Sequence, residues 1–316
     1  AKTRATATLR QRHIPPNVIS HIATILTIYF KNSNIMIPNL STSEALSYST
    51  VRIECEYKNG LKGTGTGFFI KIKEDIANNR YVPILVTNKH VIRDSVKGKF
   101  IFTKSDSADC PIDDQHFVAD IIDFGSSWRN HPNNEVDLCA MPVAAIRKEA
   151  AKRGVKIFYV PLDKSVIPTS QTLSELSALE NIIMIGYPDG IWDNVNNKPI
   201  FRKGITAIHP KYDYCGEKIS VIDMACFPGS SGSPVFIYNE AGYNDKFGNV
   251  IFGQSRVILL GILYKGPQHV IVGDIYNNNL PLNGGLKVIS KIPNNLGYII
   301  KSERILELES LFGDQQ

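Results

Sequence analysis

The sequence predicts an all-β protein. Short apolar runs recur from Thr50 onward, clusters of Gly, Asn, Asp and Pro separate them, and helical signals are few. The runs include Val51–Tyr57, Gly67–Ile72, Pro83–Thr87, Phe100–Thr103 and Phe117–Ile122 in the first half. Ile182–Ile185, Lys218–Ile222, Pro234–Tyr238, Val257–Leu263, His269–Val272 and Gly297–Ile300 follow in the second. Many short strands at close spacing fit a sandwich or barrels. Helix formers occupy Val143–Arg153, ended by Gly154. Ser302–Phe312 places Ile305, Leu308, Leu311 and Phe312 on one helical face, with Ser302 as its N-cap.

At about 150 residues per domain, a chain of 316 residues divides into roughly two. The expected division is a basic extension over 1–35, a β unit over 36–142, a helix-containing connector over 143–180 and a second β unit over 181–316. Hydrophobic residues at 43% and charged residues at 21% exclude a disordered, collagen-like or coiled-coil chain. The net charge of +5 invites nucleic acid or an anionic membrane as partner. Its location removes that inference. Lys2, Arg4, Arg10, Arg12 and Lys31 carry all of it, in a stretch free of Asp and Glu. The remainder is balanced, so neither nucleic acid nor membrane is expected as a partner.

Within that basic stretch, Val18–Phe30 is apolar but too short to span a bilayer, which takes about 20 residues. A targeting segment, a real basic helix, and non-native sequence upstream of a start at Met36 all remain open. The five cysteines, Cys55, Cys110, Cys139, Cys215 and Cys226, are odd in number and show no C-x-x-C spacing. No metal site or cofactor is expected, and a reduced, cytoplasmic protein is the simplest reading.

Three local sequences could carry chemistry. Leu85–Ile92 is an apolar strand that runs into His90. Glu135–Met141 places Asp137 at the opening of an apolar run. Phe227–Val235 reads Phe-Pro-Gly-Ser-Ser-Gly-Ser-Pro-Val. A serine hydroxyl needs a base to take its proton and donors aimed at the developing oxyanion. Gly229 permits a turn in which its own N–H and that of Ser231 face one hole, and Pro234 ends the turn before the next strand. Taken singly, each is weak: glycine and serine are common in turns, and a histidine at a strand end is usually structural.

In combination they resemble the chymotrypsin/trypsin-like serine peptidase family. His90 matches the histidine of the T-A-A-H type, Asp137 the acid of the D-[LI]-A-L type, and Ser231 the nucleophile of G-x-S-G-[GS]-P. Gly65-Thr66-Gly67-Phe68 matches the family's G-[ST]-G-F strand. The order His, Asp, Ser and the separations agree, over about 50–300. The rival α/β-hydrolase elbow, G-x-S-x-G, has Ser233 at its last position here and requires a different order.

The resemblance implies two Greek-key six-stranded β-barrels with a C-terminal helix, and a cleft holding His90, Asp137 and Ser231. It implies endopeptidase activity on a protein or peptide substrate through an acyl-enzyme, with the loop Gly229, Ser230, Ser231 as oxyanion hole. Residue 230 is Ser where secreted zymogens have an Asp that pairs with a newly cut N-terminus, so that route of activation is not encoded. Ile185–Gly190 and Arg202–Thr206 are similar to bacterial HtrA-like peptidases, and a free-standing peptidase domain without the PDZ domain of those proteins is expected. The family's specificity position falls on Ala225, and its wall strand on Tyr264, Lys265 and Gly266. A neutral or apolar cleavage-site residue is expected; Lys265 or His269 reading an acidic one is the alternative. An activating protein partner acting on Pro228–Ser230, a role in stress or anti-phage defence, and a silent peptide-binding protein on the same fold complete the expectations.

Overall fold

The computed structural model describes residues 40–75, 77, 78, 80–274, 276, 277, 280, 281 and 287–313. The basic segment 1–35 lies outside them.

The first sheet has eight strands: β1 (Thr50–Tyr57), β2 (Lys62–Asp75), β3 (Arg80–Thr87), β4 (Ser95–Ser105), β5 (Pro111–Ile122), β6 (Arg129–Asn130), β7 (Cys139–Pro142) and β8 (Ile157–Phe158). Their order is β5-β4-β1-β2-β3-β7-β6, with β8 beside β4. The expected six strands become eight because β6 and β8 are two-residue pairings, too short to leave a periodic signal. β2 buries Phe68, Phe69, Ile70 and Ile72 completely or nearly so. Such a strand, covered on both faces, reads as a continuous apolar run. Its even and odd residues enter different cores. Phe68 and Ile70 pack with Leu259, Ile262 and Ile300 of the second unit, whereas Phe69 packs with Phe100, Phe102 and Trp128.

The second unit is a closed barrel of β9 (Asn181–Gly186), β10 (Ile200–Thr206), β11 (Ile219–Asp223), β12 (Pro234–Asn239), β15 (Arg256–Lys265) and β20 (Leu296–Lys301). Between these lie three pairs outside the barrel. They are β13 (Gly242–Asn244) with β14 (Val250–Phe252), β16 (Gln268–Asp274) with β19 (Lys287–Pro293), and β17 (Tyr276–Asn277) with β18 (Leu280–Pro281).

Helices are short: α1 (Thr42–Ser47), α2 (Lys89–Ile92), α3 (Ala144–Lys152) and α4 (Ser170–Glu175). Helix α1 opens with a full capping box between Ser41 and Glu44. Residues 143–180 run back along the first sheet, where Leu162 accepts from Lys71 N–H and donates to the Phe69 carbonyl on either side of an Ile70–Leu162 bridge. The expected C-terminal helix is a 3-10 helix over Ser302–Leu311, and its N-cap is Lys301 rather than Ser302. Ile305, Leu308 and Leu311 recur every three residues, which a 3-10 helix aligns on one edge as well as an α-helix does. Among the described residues no helix is long and apolar enough to cross a membrane.

All five cysteines are free. Burial pushes the thiols of Cys55 and Cys226 up to about 12 and about 11, and that of Cys139 well above its ordinary value. Iodoacetamide at pH 8 is therefore expected to modify exposed Cys215 first and Cys110 more slowly, while the other three react only in denaturant. Rapid modification of all five in the native protein, read by mass spectrometry, would contradict this packing.

Candidate active site

The site forms where the two sheets meet, and strand register delivers its parts. β3 and β7 pair antiparallel, with Thr87 opposite Cys139. The chain leaving β3 and the chain entering β7 therefore emerge at the same end. Three residues beyond Thr87 lies His90, in α2; two residues before Cys139 lies Asp137. Asn88 secures the junction by donating from Nδ2 to the Asp137 carbonyl at 2.9 Å.

The Asp137 carboxylate accepts twice from His90: from the backbone N–H on Oδ1 at 3.1 Å and from ring Nδ1 on Oδ2 at 2.5 Å. An ionised carboxylate only accepts, so the ring proton sits on Nδ1 and Nε2 is left as acceptor. The Ser231 hydroxyl lies 2.9 Å from that Nε2 and donates to it. The His90 side chain is 40% exposed, so the relay opens to the cleft.

Ser231 is brought in by the second barrel. Its loop, between β11 and β12, is stitched to β15 by Gly232 N–H to Leu263 O at 2.8 Å and Leu263 N–H to Ser233 O at 2.9 Å. It is joined to the first sheet by Thr66 N–H donating to Ser231 O at 2.9 Å, and by Thr66 Oγ1 donating to Gly229 O at 3.0 Å. Thr66 Oγ1 also accepts the Tyr187 N–H at 3.1 Å, and Thr87 Oγ1 donates to Thr66 O at 2.7 Å. Gly232 is required where these backbones cross: its φ is +86°, and a Cβ would stand 1.9 Å from Thr66 O.

The loop presents two N–H groups. The Pro228 carbonyl accepts from Asp189 N–H at 2.6 Å, and the Ser230 carbonyl from Ser233 N–H at 3.0 Å. N–H and C=O point oppositely across a trans peptide, so the Gly229 and Ser231 N–H groups face away from those anchors. Neither has a protein acceptor among the described residues. Gly229 holds φ +79°, the conformation expected of it. Ser230 does not share the role expected of all three residues: its N–H donates to Phe227 O at 3.1 Å, and its buried hydroxyl accepts from Arg202 Nη2 at 2.8 Å.

Of the specificity candidates, Ala225 is partly buried and gives its carbonyl to Arg202 Nη1 at 2.6 Å. Gly266 packs on Cys226, where a Cβ would meet Cys226 Cβ at 3.1 Å. Lys265 and His269 are exposed. Burial, with Tyr298 and Asp137 adding, raises the pKa of Tyr264, so its phenol stays neutral. Thr66 and Arg202 are the site residues whose roles motif reading misses. Both stand in recognised segments, but their partners are long-range.

The profile of a trypsin-like peptidase domain matches residues 65–242, which is more than half of the chain. The chain belongs to this family. No curated protein matches it. Among solved structures, it is similar to the HtrA-type protease AlgW with tripeptide at 15% identity and a TM-score of 0.42, over 86% of this chain and 63% of that one. The chain thus spans less than two thirds of AlgW. The Rv3671c protease from M. tuberculosis, in its active form, is 12% identical with a TM-score of 0.40, over 99% and 96%. Catalytically active tobacco etch virus protease complexed with product is 10% identical with a TM-score of 0.42, over 86% and 81%.

Two glycines separate packing from backbone strain in this peptidase domain. Gly154 also holds positive φ, at +67°, but nothing stands within 4 Å of a Cβ there. Gly154→Ala is expected to cost about 1 kcal/mol of backbone strain. Gly232→Ala adds a clash with backbone and is expected to cost at least twice as much in urea unfolding. Equal costs would contradict the crossing at Thr66.

Proposed function

We propose that the chain is a serine endopeptidase, with Ser231 as nucleophile, His90 as general base and then acid, and Asp137 as the group that orients the imidazole. The observation that carries the reading is the continuous relay of 2.5 and 2.9 Å from Asp137 through His90 to Ser231, beside two N–H groups without an acceptor among the described residues. As Ser231 Oγ attacks the scissile carbonyl, its proton passes to His90 Nε2, and Asp137 stabilises the imidazolium. The Gly229 and Ser231 N–H groups receive the oxyanion; one such donor contributes about 2.7–4 kcal/mol in comparable sites. His90 then protonates the leaving amine, leaving the acyl group on Ser231, and water activated by the same imidazole releases it.

The substrate class is a protein or a peptide. A guanidinium held at the Ala225 carbonyl disfavours a basic side chain in the pocket, which supports a neutral cleavage-site residue over lysine or arginine. The tethered carbonyls of Pro228, Gly229 and Ser230 support an enzyme active without a partner over one that waits for it. The relay also favours turnover over silent peptide binding. The proposed setting, a cytoplasmic role in stress or defence against phage, rests on the HtrA-like segments and the free thiols.

The test is cleavage-site profiling of the purified protein on a proteome-derived peptide library. Wild type is expected to cut, with a neutral residue before the scissile bond, and Ser231→Ala to leave the library intact. Cleavage that survives Ser231→Ala, or no cleavage by wild type, would overturn the assignment. Asp137→Asn is expected to lower kcat about 10⁴-fold, because an amide that donates to Nδ1 forces the proton onto Nε2. A loss below tenfold would contradict the orienting role.

A further inference from the structure

The residues bounding the oxyanion loop are tied by one side chain of the barrel wall. Arg202 lies on β10, opposite Met184 of β9. Its Nη1 donates to the Ala225 carbonyl at 2.6 Å and its Nη2 to the Ser230 hydroxyl at 2.8 Å. Those acceptors lie at the two ends of the segment that leads to the nucleophile, and Ser230 is completely buried.

The energetics of this guanidinium call for an explanation. It makes no ion pair with a carboxylate among the described residues, and its buried Nε has no hydrogen-bond partner. Burial lowers its pKa, with Cys226 and Asp189 opposing. A partly buried cation with no carboxylate in ion-pair contact leaves part of its desolvation cost uncompensated, and an apolar residue of similar volume is often the more stable choice. What an apolar residue lacks is a planar fork that reaches two acceptors at once.

The rest of the loop needs such a fork. Asp189 fixes the Pro228 carbonyl and Thr66 the Gly229 carbonyl, both at the turn itself. Neither reaches Ala225 or the Ser230 side chain. With Arg202 in place, turning the buried Ser230 side chain away costs that hydrogen bond. The Ser230–Ser231 peptide, whose N–H is one of the two donors, is then held twice: by Ser233 N–H at its carbonyl and by Arg202 at the preceding side chain.

We propose that Arg202 is the positioning residue of the oxyanion hole, a lock supplied within the chain that holds Gly229 and Ser231 N–H toward the cleft without N-terminal cleavage or a partner. This rests on the serine endopeptidase reading above. The hole contacts the transition state more strongly than the substrate, so loosening it lowers kcat and spares KM.

The experiment compares wild type, Arg202→Met, Arg202→Lys, Ser230→Ala and the double variant Arg202→Met/Ser230→Ala in the full chain. It uses steady-state kinetics on one cleaved peptide, the rate of Ser231 phosphonylation by a fluorophosphonate, and near-ultraviolet circular dichroism. Arg202→Met is expected to lower kcat 10- to 1000-fold with KM changed less than about threefold. Arg202→Lys, with a single point donor, is expected to recover part of the loss, and the double variant to be no worse than Arg202→Met alone. Wild-type kcat in folded Arg202→Met, or losses that multiply in the double variant, would overturn the lock. Should Arg202→Met fail to fold, Ser230→Ala decides: a fall of at least tenfold in kcat at unchanged KM is expected, and wild-type kcat overturns the proposal. A wild type that neither cleaves nor reacts overturns the endopeptidase reading itself. Normal reaction in wild type and Arg202→Met alike overturns only the lock.

Discussion

The crossing of Thr66 over the loop Gly229–Ser233 is the contact on which the site depends. It brings the first sheet against the second barrel at backbone distance, and only glycine at 232 allows that approach. Two hydrogen bonds from Thr66, one from its N–H and one from its hydroxyl, then fix Ser231 and Gly229 relative to β2. β2 pairs with β3, β3 ends at His90, and β3 pairs with β7, which begins just after Asp137. A chain of strand pairings thus connects Ser231 to His90 and His90 to Asp137. The burial of Phe68 and Ile70 in the shared core makes separation of the two units costly.

The loop itself is held by distributed anchors. Its carbonyls or side chains are bound by Arg202 and Asp189 from the second unit, Thr66 from the first, and Ser233 from the loop's own end. With the acceptors all taken inward, the two N–H donors remain for the cleft. Such preorganisation makes oxyanion stabilisation effective, since the donors need not reorient during reaction. It also explains how Ser can occupy position 230. The side chain there accepts a hydrogen bond from the partly buried Arg202 guanidinium, which under the proposed lock takes the place of a new terminal amine.

Much of this was legible in the sequence. His90, Asp137 and Ser231 are each weak signals alone, and are legible because their local sequences together resemble the motifs of one family in the family's order. The strands buried on both faces, such as Gly67–Ile72 and Val257–Leu263, announced themselves as apolar runs. β10 did not, because Arg202 and Lys203 interrupt it, and the interruption is where the loop anchor sits. Thr66 was visible only as part of a strand motif. Its acceptors lie more than 160 residues away, a distance over which local patterns carry no information. The C-terminal helix is legible but its type is not, because a three-residue apolar spacing serves a 3-10 helix and an α-helix alike. The two-residue strands β6 and β8 fall below what periodicity can detect.

The central claim is that the relay and the loop are set in the chain alone. The most direct measurement is intact-mass spectrometry of the purified protein after exposure to a fluorophosphonate, with peptide mapping of the adduct. The account requires one adduct per chain, on Ser231, formed without any added protein and abolished in His90→Ala. No adduct under conditions where trypsin is fully modified, or an adduct elsewhere, would contradict it.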